Sequence, residues 1–156
     1  MTPALILSWE DVTTHINSIS EWCATLPKMD LIVAVGRGGF IPATLLSHKT
    51  RNRNITACVV HSYSDHDNTS KTLNIVQPPL LSPCKQILIV EDIVDSGKTI
   101  QVLHKYITDF YAAQQWVVPK IYVCALVYKP NPVYTDVHYG VTVDPVTWVV
   151  TPWEAL

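Results

Sequence analysis

The sequence predicts an α/β domain built on a largely parallel sheet with helices on its faces. Three observations carry this reading. Apolar runs rich in β-branched residues, Leu31 to Val35, Gln86 to Val90 and Ile121 to Tyr128, have the continuous hydrophobicity of strands covered on both sides. Stretches of helical period lie between them. Glycine-bearing segments follow directly on two of the runs, where ligands of such sheets collect.

The elements follow in order. Ser8-Trp9-Glu10-Asp11 reads as a helix start, with Ser8 as N-cap and Asp11 at the third helical position. Val12, Ile16, Ile19, Trp22, Cys23 and Leu26 then recur at helical spacing until Pro27. Leu31 to Val35 is the first buried strand, broken by Gly36-Arg37-Gly38-Gly39. A helix starts near Ile41, with Pro42 in its first turn. Ile55 to His61 is a second strand. Ser62 to Cys84, polar at first and Pro-containing later, reads as a long loop, and loops of that length are usually functional or mobile. Gln86 to Val90 leads into Glu91-Asp92-Ile93-Val94-Asp95-Ser96-Gly97-Lys98-Thr99. A helix with Ile100, Leu103, His104 and Ile107 on one face comes next, then the strand Ile121 to Tyr128. The tail from Asn131 is rich in Pro and aromatic residues and is expected to be partly extended.

Length and composition narrow the function classes. At 156 residues, 1–156 is expected to be one domain, since about 150 is a usual domain length. With 48% apolar and only 15% charged residues, a disordered solvating chain is excluded. Eleven Lys plus Arg against thirteen Asp plus Glu give a formal charge of −2, which argues against a basic nucleic-acid coat. Cys23, Cys58, Cys84 and Cys124 form no CxxC pair, so neither a disulfide framework nor a structural zinc site is expected. Cys58 and Cys124 read as small core residues. No signal peptide or transmembrane segment is read, and a cytoplasmic location is the expectation.

The segment after the third strand run carries the chemistry. Ser96-Gly97-Lys98-Thr99 resembles the end of a P-loop, but Asp92 stands where that motif needs glycine. Glu91, Asp92 and Asp95 would also repel a polyphosphate lying along the turn. A division of labour fits better. The amides of a helix-opening turn and the hydroxyls of Ser96 and Thr99 can hold one phosphate monoester. Glu91 and Asp92, ionised and therefore acceptors only, suit a vicinal diol. Together these describe ribose 5-phosphate. A capped turn with solvated acids is the plainer alternative. Gly36-Arg37-Gly38-Gly39 lets backbone approach an anion closely and adds a forked cation, which suits a second phosphate group such as pyrophosphate.

In this arrangement Val90-Glu91-Asp92-Ile93-Val94-Asp95-Ser96-Gly97-Lys98-Thr99 resembles the signature of the type I phosphoribosyltransferases, which bind phosphoribosyl pyrophosphate (PRPP). Val35-Gly36-Arg37-Gly38-Gly39-Phe40-Ile41-Pro42 resembles their pyrophosphate loop. Ser62-Tyr63 with Asp65-His66-Asp67-Asn68 resembles the mobile loop of the xanthine-guanine group. Lys129-Pro130, Thr147-Trp148 and Pro152-Trp153-Glu154 resemble its base-binding segments, in order and at similar spacing.

The resemblance implies a mostly parallel sheet flanked by helices, a flexible loop at Ser62 and Tyr63, and a small C-terminal hood over the base. It implies an Mg²⁺-dependent purine salvage enzyme that joins a 6-oxopurine (guanine, xanthine or hypoxanthine) to ribose 5-phosphate and releases pyrophosphate. Glu91 and Asp92 would hold the ribose hydroxyls, with Asp92 also near Mg²⁺. Asp95 would face N7 of the purine and manage its proton, while Val94, Asp95, Ser96, Gly97, Lys98 and Thr99 wrap the 5-phosphate. Gly36, Arg37 and Gly38 would contact pyrophosphate, across a peptide bond that is often cis in the family, and Arg37 would stabilise the leaving charge. Lys129 would donate to O6, Trp148 would stack on the ring, and the Val149 backbone and Glu154 would read the C2 substituent. A homo-oligomer, dimer or tetramer, is expected.

The chain departs from the family pattern in places. Gly36 stands where Ser is more usual, Ser64 is an extra residue, and the loop's basic residue is displaced, leaving Lys71 as the nearest candidate for a pyrophosphate contact. Asp65-His66-Asp67 reads as solvated loop residues rather than metal ligands. A rival from another class is a PRPP-sensing regulator that binds nucleic acid. It would need a basic face, for which Lys49, Arg51 and Arg53 are the obvious cluster. An enzyme for another base, such as a pyrimidine, is a third reading.

Overall fold

The computed structural model describes residues 2–64 and 71–155. It opens with a short strand, β1 (Ala4–Ile6), and a helix, α1 (Trp9–Ala24). The Ser8 hydroxyl accepts from the Asp11 amide at 3.0 Å, and the Asp11 carboxylate accepts from the Ser8 amide at 2.8 Å. This reciprocal cap fixes the start of α1, and Val12, Ile16 and Ile19 form its buried stripe. Next come β2 (Leu31–Gly36) and α2 (Phe40–Thr50), whose Pro42 costs no intrahelical bond because first-turn amides have no partner. They are followed by β3 (Ile55–Ser64), β4 (Lys71–Gln77), β5 (Gln86–Val94) and α3 (Lys98–Ala113). The chain ends with β6 (Lys120–Tyr128), β7 (His138–Thr142) and β8 (Trp148–Val150).

One sheet has the order β4-β3-β2-β5-β6-β7, parallel throughout except for the β3–β4 pair. Side-chain alternation splits its core in two. Ile32, Ala34, Leu88, Val90, Cys124 and Leu126 pack with α1 and α2 residues, including Val12, Ile16 and Leu46. Val33, Val35, Ile87, Ile89, Val123 and Ala125 pack with Ile100, Leu103, Ile107 and Tyr111 of α3. Cys58 and Cys124 are buried and all four cysteines are free, as core thiols should be.

Two expectations need correction. Much of the stretch from Ser62 to Cys84 is strand, not loop. Ser62 pairs with Leu73 and Tyr63 with Thr72 in the β3–β4 hairpin, so the two residues expected on a flexible loop lie on a strand. β4 is an edge strand with one covered face. Leu73 and Ile75 are half-buried while Thr72, Asn74 and Val76 are exposed, and that polar alternation reads as a loop when its partner is unknown. The expected Asp65-His66-Asp67-Asn68 segment lies outside the described residues. The strand expected over Gln86 to Val90 also runs four residues further, to Val94, so Glu91 and Asp92 lie within its last residues instead of just beyond its end.

The tail forms the expected hood. β8 pairs in parallel with β1, aligning Trp148 with Ala4 and Val149 with Leu5. The Trp148 amide donates to the Pro3 carbonyl at 2.8 Å, and the rings of Trp9 and Trp153 lie 5.9 Å apart. The carboxyl ends of β2, β5 and β6 thus share one side of the sheet with the two glycine segments. Lys49, Arg51 and Arg53 lie at the other end, where the Asn54 carbonyl accepts from the Ile32 amide at 2.8 Å. Lys49 is in the last turn of α2 and Arg51 is its C-cap, so they complement the negative end of that helix. A cavity of about 330 Å³ lined by Cys23, Leu26, Met29, Lys49 and Leu88 opens at this same end, away from the glycine segments. No described helix is long and apolar enough to cross a membrane.

Candidate active site

β5 delivers the acidic pair and then turns sharply into α3. Side-chain alternation breaks at this pair, since Val90 and Ile93 both pack toward the α1–α2 core. The Asp92 amide donates to Glu91 Oε1 at 3.0 Å, and the Ile93 amide to Asp92 Oδ1 at 2.8 Å. Burial holds the Glu91 carboxyl well above its usual range, and the hydrogen bond and charge of Asp92 push it in the same direction. Near its end the strand thus carries two carboxyls tied to its own amides.

Gly97 turns the chain into α3 with φ of +80°, a left-handed conformation that a β-carbon disfavours. The first-turn amides of α3 have no acceptor within the helix and lie beside the hydroxyls of Ser96 and Thr99. A small cleft of about 80 Å³ is lined by Glu91, Val94, Asp95, Ser96, Gly97 and Thr99. Glu91, Asp95 and the helix-opening turn therefore share one recess. The Val94 side chain is buried in the second core cluster, so it leaves its backbone to line this recess, and Lys98 is exposed.

The Gly36–Arg37 peptide is cis, as the family resemblance implied. The loop closes on itself through Gly39 N–H to Val35 carbonyl at 2.8 Å and Phe40 N–H to Arg37 carbonyl at 3.1 Å. A β-carbon on Gly38 would collide with the Asp92 carboxylate, and one on Gly39 would lie 2.7 Å from the Val90 carbonyl. These two glycines let the loop lie directly on the acid-bearing end of β5. At Gly36 the tip of the Phe40 ring occupies the space a β-carbon would take. Arg37 is exposed.

Lys129 follows β6 and is buried, its side chain 9% exposed. Its amide donates to the Val94 carbonyl at 2.8 Å, and its ammonium contacts Asp95 Oδ2 at 3.2 Å. A solvated strand-end lysine is thereby ruled out, and the two residues expected to read the base are paired. Trp148 is 68% exposed on the hood and not part of the core, as a stacking surface requires. Val149 is buried beside it. One oxygen of Glu154, Oε2, already accepts from the Thr151 amide at 3.0 Å and the Thr151 hydroxyl at 2.8 Å. Lys71 opens β4 opposite Ser64.

Sequence reasoning missed Asn131. Its amide nitrogen donates to the carbonyls of Asp95 and Lys129, each at 3.2 Å. Its oxygen accepts from the amides of Val133 at 3.0 Å and Tyr134 at 2.8 Å. The available signal was an Asn between two prolines, a turn former by its side-chain hydrogen bonds.

The phosphoribosyl transferase domain family matches residues 6–155. A xanthine-guanine phosphoribosyltransferase of Gluconobacter oxydans is 34% identical over 125 residues, covering 79% of this chain and 67% of that protein. One from Vibrio atlanticus is 27% identical over 154 residues, covering 99% of this chain and 91% of its own length. The crystal structure of a purine phosphoribosyltransferase from Pyrococcus horikoshii superposes with a TM-score of 0.76 at 29% identity, covering 99% of this chain and 95% of that one.

Proposed function

The chain belongs to the phosphoribosyl transferase family, and on that premise we propose that it is a purine salvage enzyme transferring ribose 5-phosphate from PRPP to a 6-oxopurine. The names of its relatives support the substrate class. The observation that carries the reading is the buried Lys129 ammonium held against Asp95, next to the phosphate turn. A lysine only donates, and a 6-oxopurine offers an acceptor at O6.

In the reaction the bond from the anomeric carbon to pyrophosphate breaks, and its electron pair leaves with the pyrophosphate. The purine N9 lone pair forms the new bond. Asp95 takes the proton from N7 as the ring becomes positively charged. Ser96, Gly97, Lys98 and Thr99 hold the 5-phosphate through backbone amides and hydroxyls. Glu91 and Asp92 accept from the ribose hydroxyls. Arg37, the amides of Gly36 and Gly38, and Lys71 receive the leaving pyrophosphate. Trp148 stacks on the purine, and the Val149 backbone and the free Glu154 oxygen read its C2 substituent.

The donor set suits Mg²⁺, because Asp92 offers a carboxylate near the carboxyl end of β5, with Oδ1 held by the Ile93 amide and the whole group lying against Gly38 of the loop assigned to pyrophosphate. Asp92, with water and substrate oxygens, would hold the ion in the way Mg²⁺ prefers. When bound it supplies positive charge for the departing pyrophosphate. The chain works as a homo-oligomer in this reading, motivated by exposed Ile6, Trp9, Val76 and Leu80.

A structure with a 6-oxopurine nucleoside monophosphate tests the assignment. The 5-phosphate should lie at Ser96–Thr99 and O6 within hydrogen-bond distance of Lys129 Nζ. A phosphate bound elsewhere would overturn it.

A further inference from the structure

Asn131 saturates its side chain by joining two loops that belong to different subsites. Both oxygen lone pairs are taken by the amides of its own turn, at Val133 and Tyr134. Its amide protons go to the Asp95 carbonyl, on the other loop, and to the Lys129 carbonyl, two residues back in its own segment. Its oxygen also sits 2.5 Å from where a β-carbon of Gly97 would stand, so the side chain occupies the space that this glycine leaves open. The turn it caps is anchored in place. The Tyr134 carbonyl accepts from the Tyr128 hydroxyl at 3.3 Å, and the Tyr134 ring lies 5.9 Å from His104 on α3.

The β5–β6 ladder ends where Val94 pairs with Tyr128. One more backbone bond follows, from the Lys129 amide to the Val94 carbonyl. Beyond that, among the described residues, the loops are joined by the Lys129–Asp95 ion pair and by the Asn131 side chain. A purine whose O6 accepts from Lys129 and whose N7–H donates to Asp95 engages both members of the ion pair. The Asn131 bonds go to backbone carbonyls, which the purine does not use, so they persist through binding. We propose that Asn131 is a positioning residue that fixes the distance between the phosphate turn and the Asp95–Lys129 pair, and so sets the affinity for ligands spanning both. This rests on the functional reading above. It concerns coupling and not either contact alone: a rigid spacing lets the second contact form at the effective concentration set by the first.

The test compares a spanning ligand with its two halves. Affinities for GMP, guanosine and ribose 5-phosphate are measured by titration for the full-length chain and for Asn131→Ser, Asn131→Ala and Asn131→Asp. Serine keeps a small acceptor for the turn amides but cannot reach both carbonyls, and alanine loses both functions. The expected result for Asn131→Ser is a GMP affinity about tenfold weaker, as loss of two modest hydrogen bonds allows, with each half-ligand changed less than twofold. Asn131→Ala should show the same split, and Asn131→Asp, which keeps the acceptor for the turn amides but cannot donate to the carbonyls, decides the matter should neither fold, since its added charge bears alike on GMP and ribose 5-phosphate. Unchanged GMP affinity in a folded variant would overturn the proposal and leave the functional reading standing. So would an equal loss for all three ligands, which marks simple damage to the turn. A wild-type chain that binds GMP no tighter than ribose 5-phosphate would overturn the functional reading and this proposal with it.

Discussion

Replacing Lys129 by methionine separates base reading from folding. Methionine fits the covered stem of a side chain that is 9% exposed, and it removes the charge. The stranded partner, Asp95, has a side chain 67% exposed, so water replaces the lost ion pair at little cost. The melting temperature should therefore move by only a few degrees. Catalysis should not be spared. A hydrogen bond to a charged donor contributes about 1.5–3 kcal/mol, so kcat/KM for guanine should fall roughly 10- to 100-fold. Adenine presents an amino donor where guanine presents O6. In the wild type that mismatch leaves two buried polar groups unmatched at about 1–3 kcal/mol each, which predicts a few hundred-fold preference for 6-oxopurines. Lys129→Met should shrink this preference to about tenfold or less by the same arithmetic. Trp148→Phe is the control, since a smaller stacking face weakens every purine alike. The assay is kcat/KM for guanine, xanthine, hypoxanthine and adenine, following pyrophosphate. Guanine turnover unchanged in Lys129→Met would refute the role of this lysine.

Asp92→Asn keeps a carbonyl oxygen for the Ile93 amide and the packing over Gly38 but removes the charge proposed to meet Mg²⁺. It should lower kcat/KM at least tenfold at fixed Mg²⁺ by weakening a charge-assisted contact, with a near-normal melting temperature, and wild-type turnover should stop in excess chelator. Full activity in either experiment would contradict the metal assignment. The α1–β7 contact should lose stability in acid. Burial lowers the pKa of His138, whose ring stacks on Trp22 at 4.3 Å, and burial outweighs Asp11 in lowering that of His15. A folded pKa below the unfolded value of about 6.5 means that the unfolded chain binds more protons. The stability is thus full above that value and declines as pH falls through it. Melting should come earlier at pH 5.5 than at pH 7.5, and His138→Phe, which preserves the stack, should narrow the gap. A gap of the same size in the variant would remove His138 from this account.

The strands between two helical layers were legible because burial on both faces leaves an unbroken apolar signal, as in Leu31 to Val35 and Ile121 to Tyr128. The start of α1 was legible because its cap is a local contact between Ser8 and Asp11. β4 was not, since an edge strand with a polar outer face resembles a loop until β3 is known to lie beside it. β8 was hidden for a similar reason. Its partner β1 is at the other end of the chain, and three residues carry too little pattern to declare a strand. At the site, the acids, glycines and Lys129 were visible as residue types in a known order, but the burial of Lys129 and its pairing with Asp95 needed the fold. Asn131 acts through backbone carbonyls brought close only by the sheet, so no spacing in the sequence announces it.

The central claim is that this chain forms a nucleotide from PRPP and a 6-oxopurine. The most direct measurement is pyrophosphate release from PRPP and Mg²⁺ with a panel of purine and pyrimidine bases. Release with guanine, xanthine or hypoxanthine, with matching nucleoside monophosphate and little response to adenine or pyrimidines, is the predicted result. Turnover of adenine equal to that of guanine, or none with any 6-oxopurine, would contradict it.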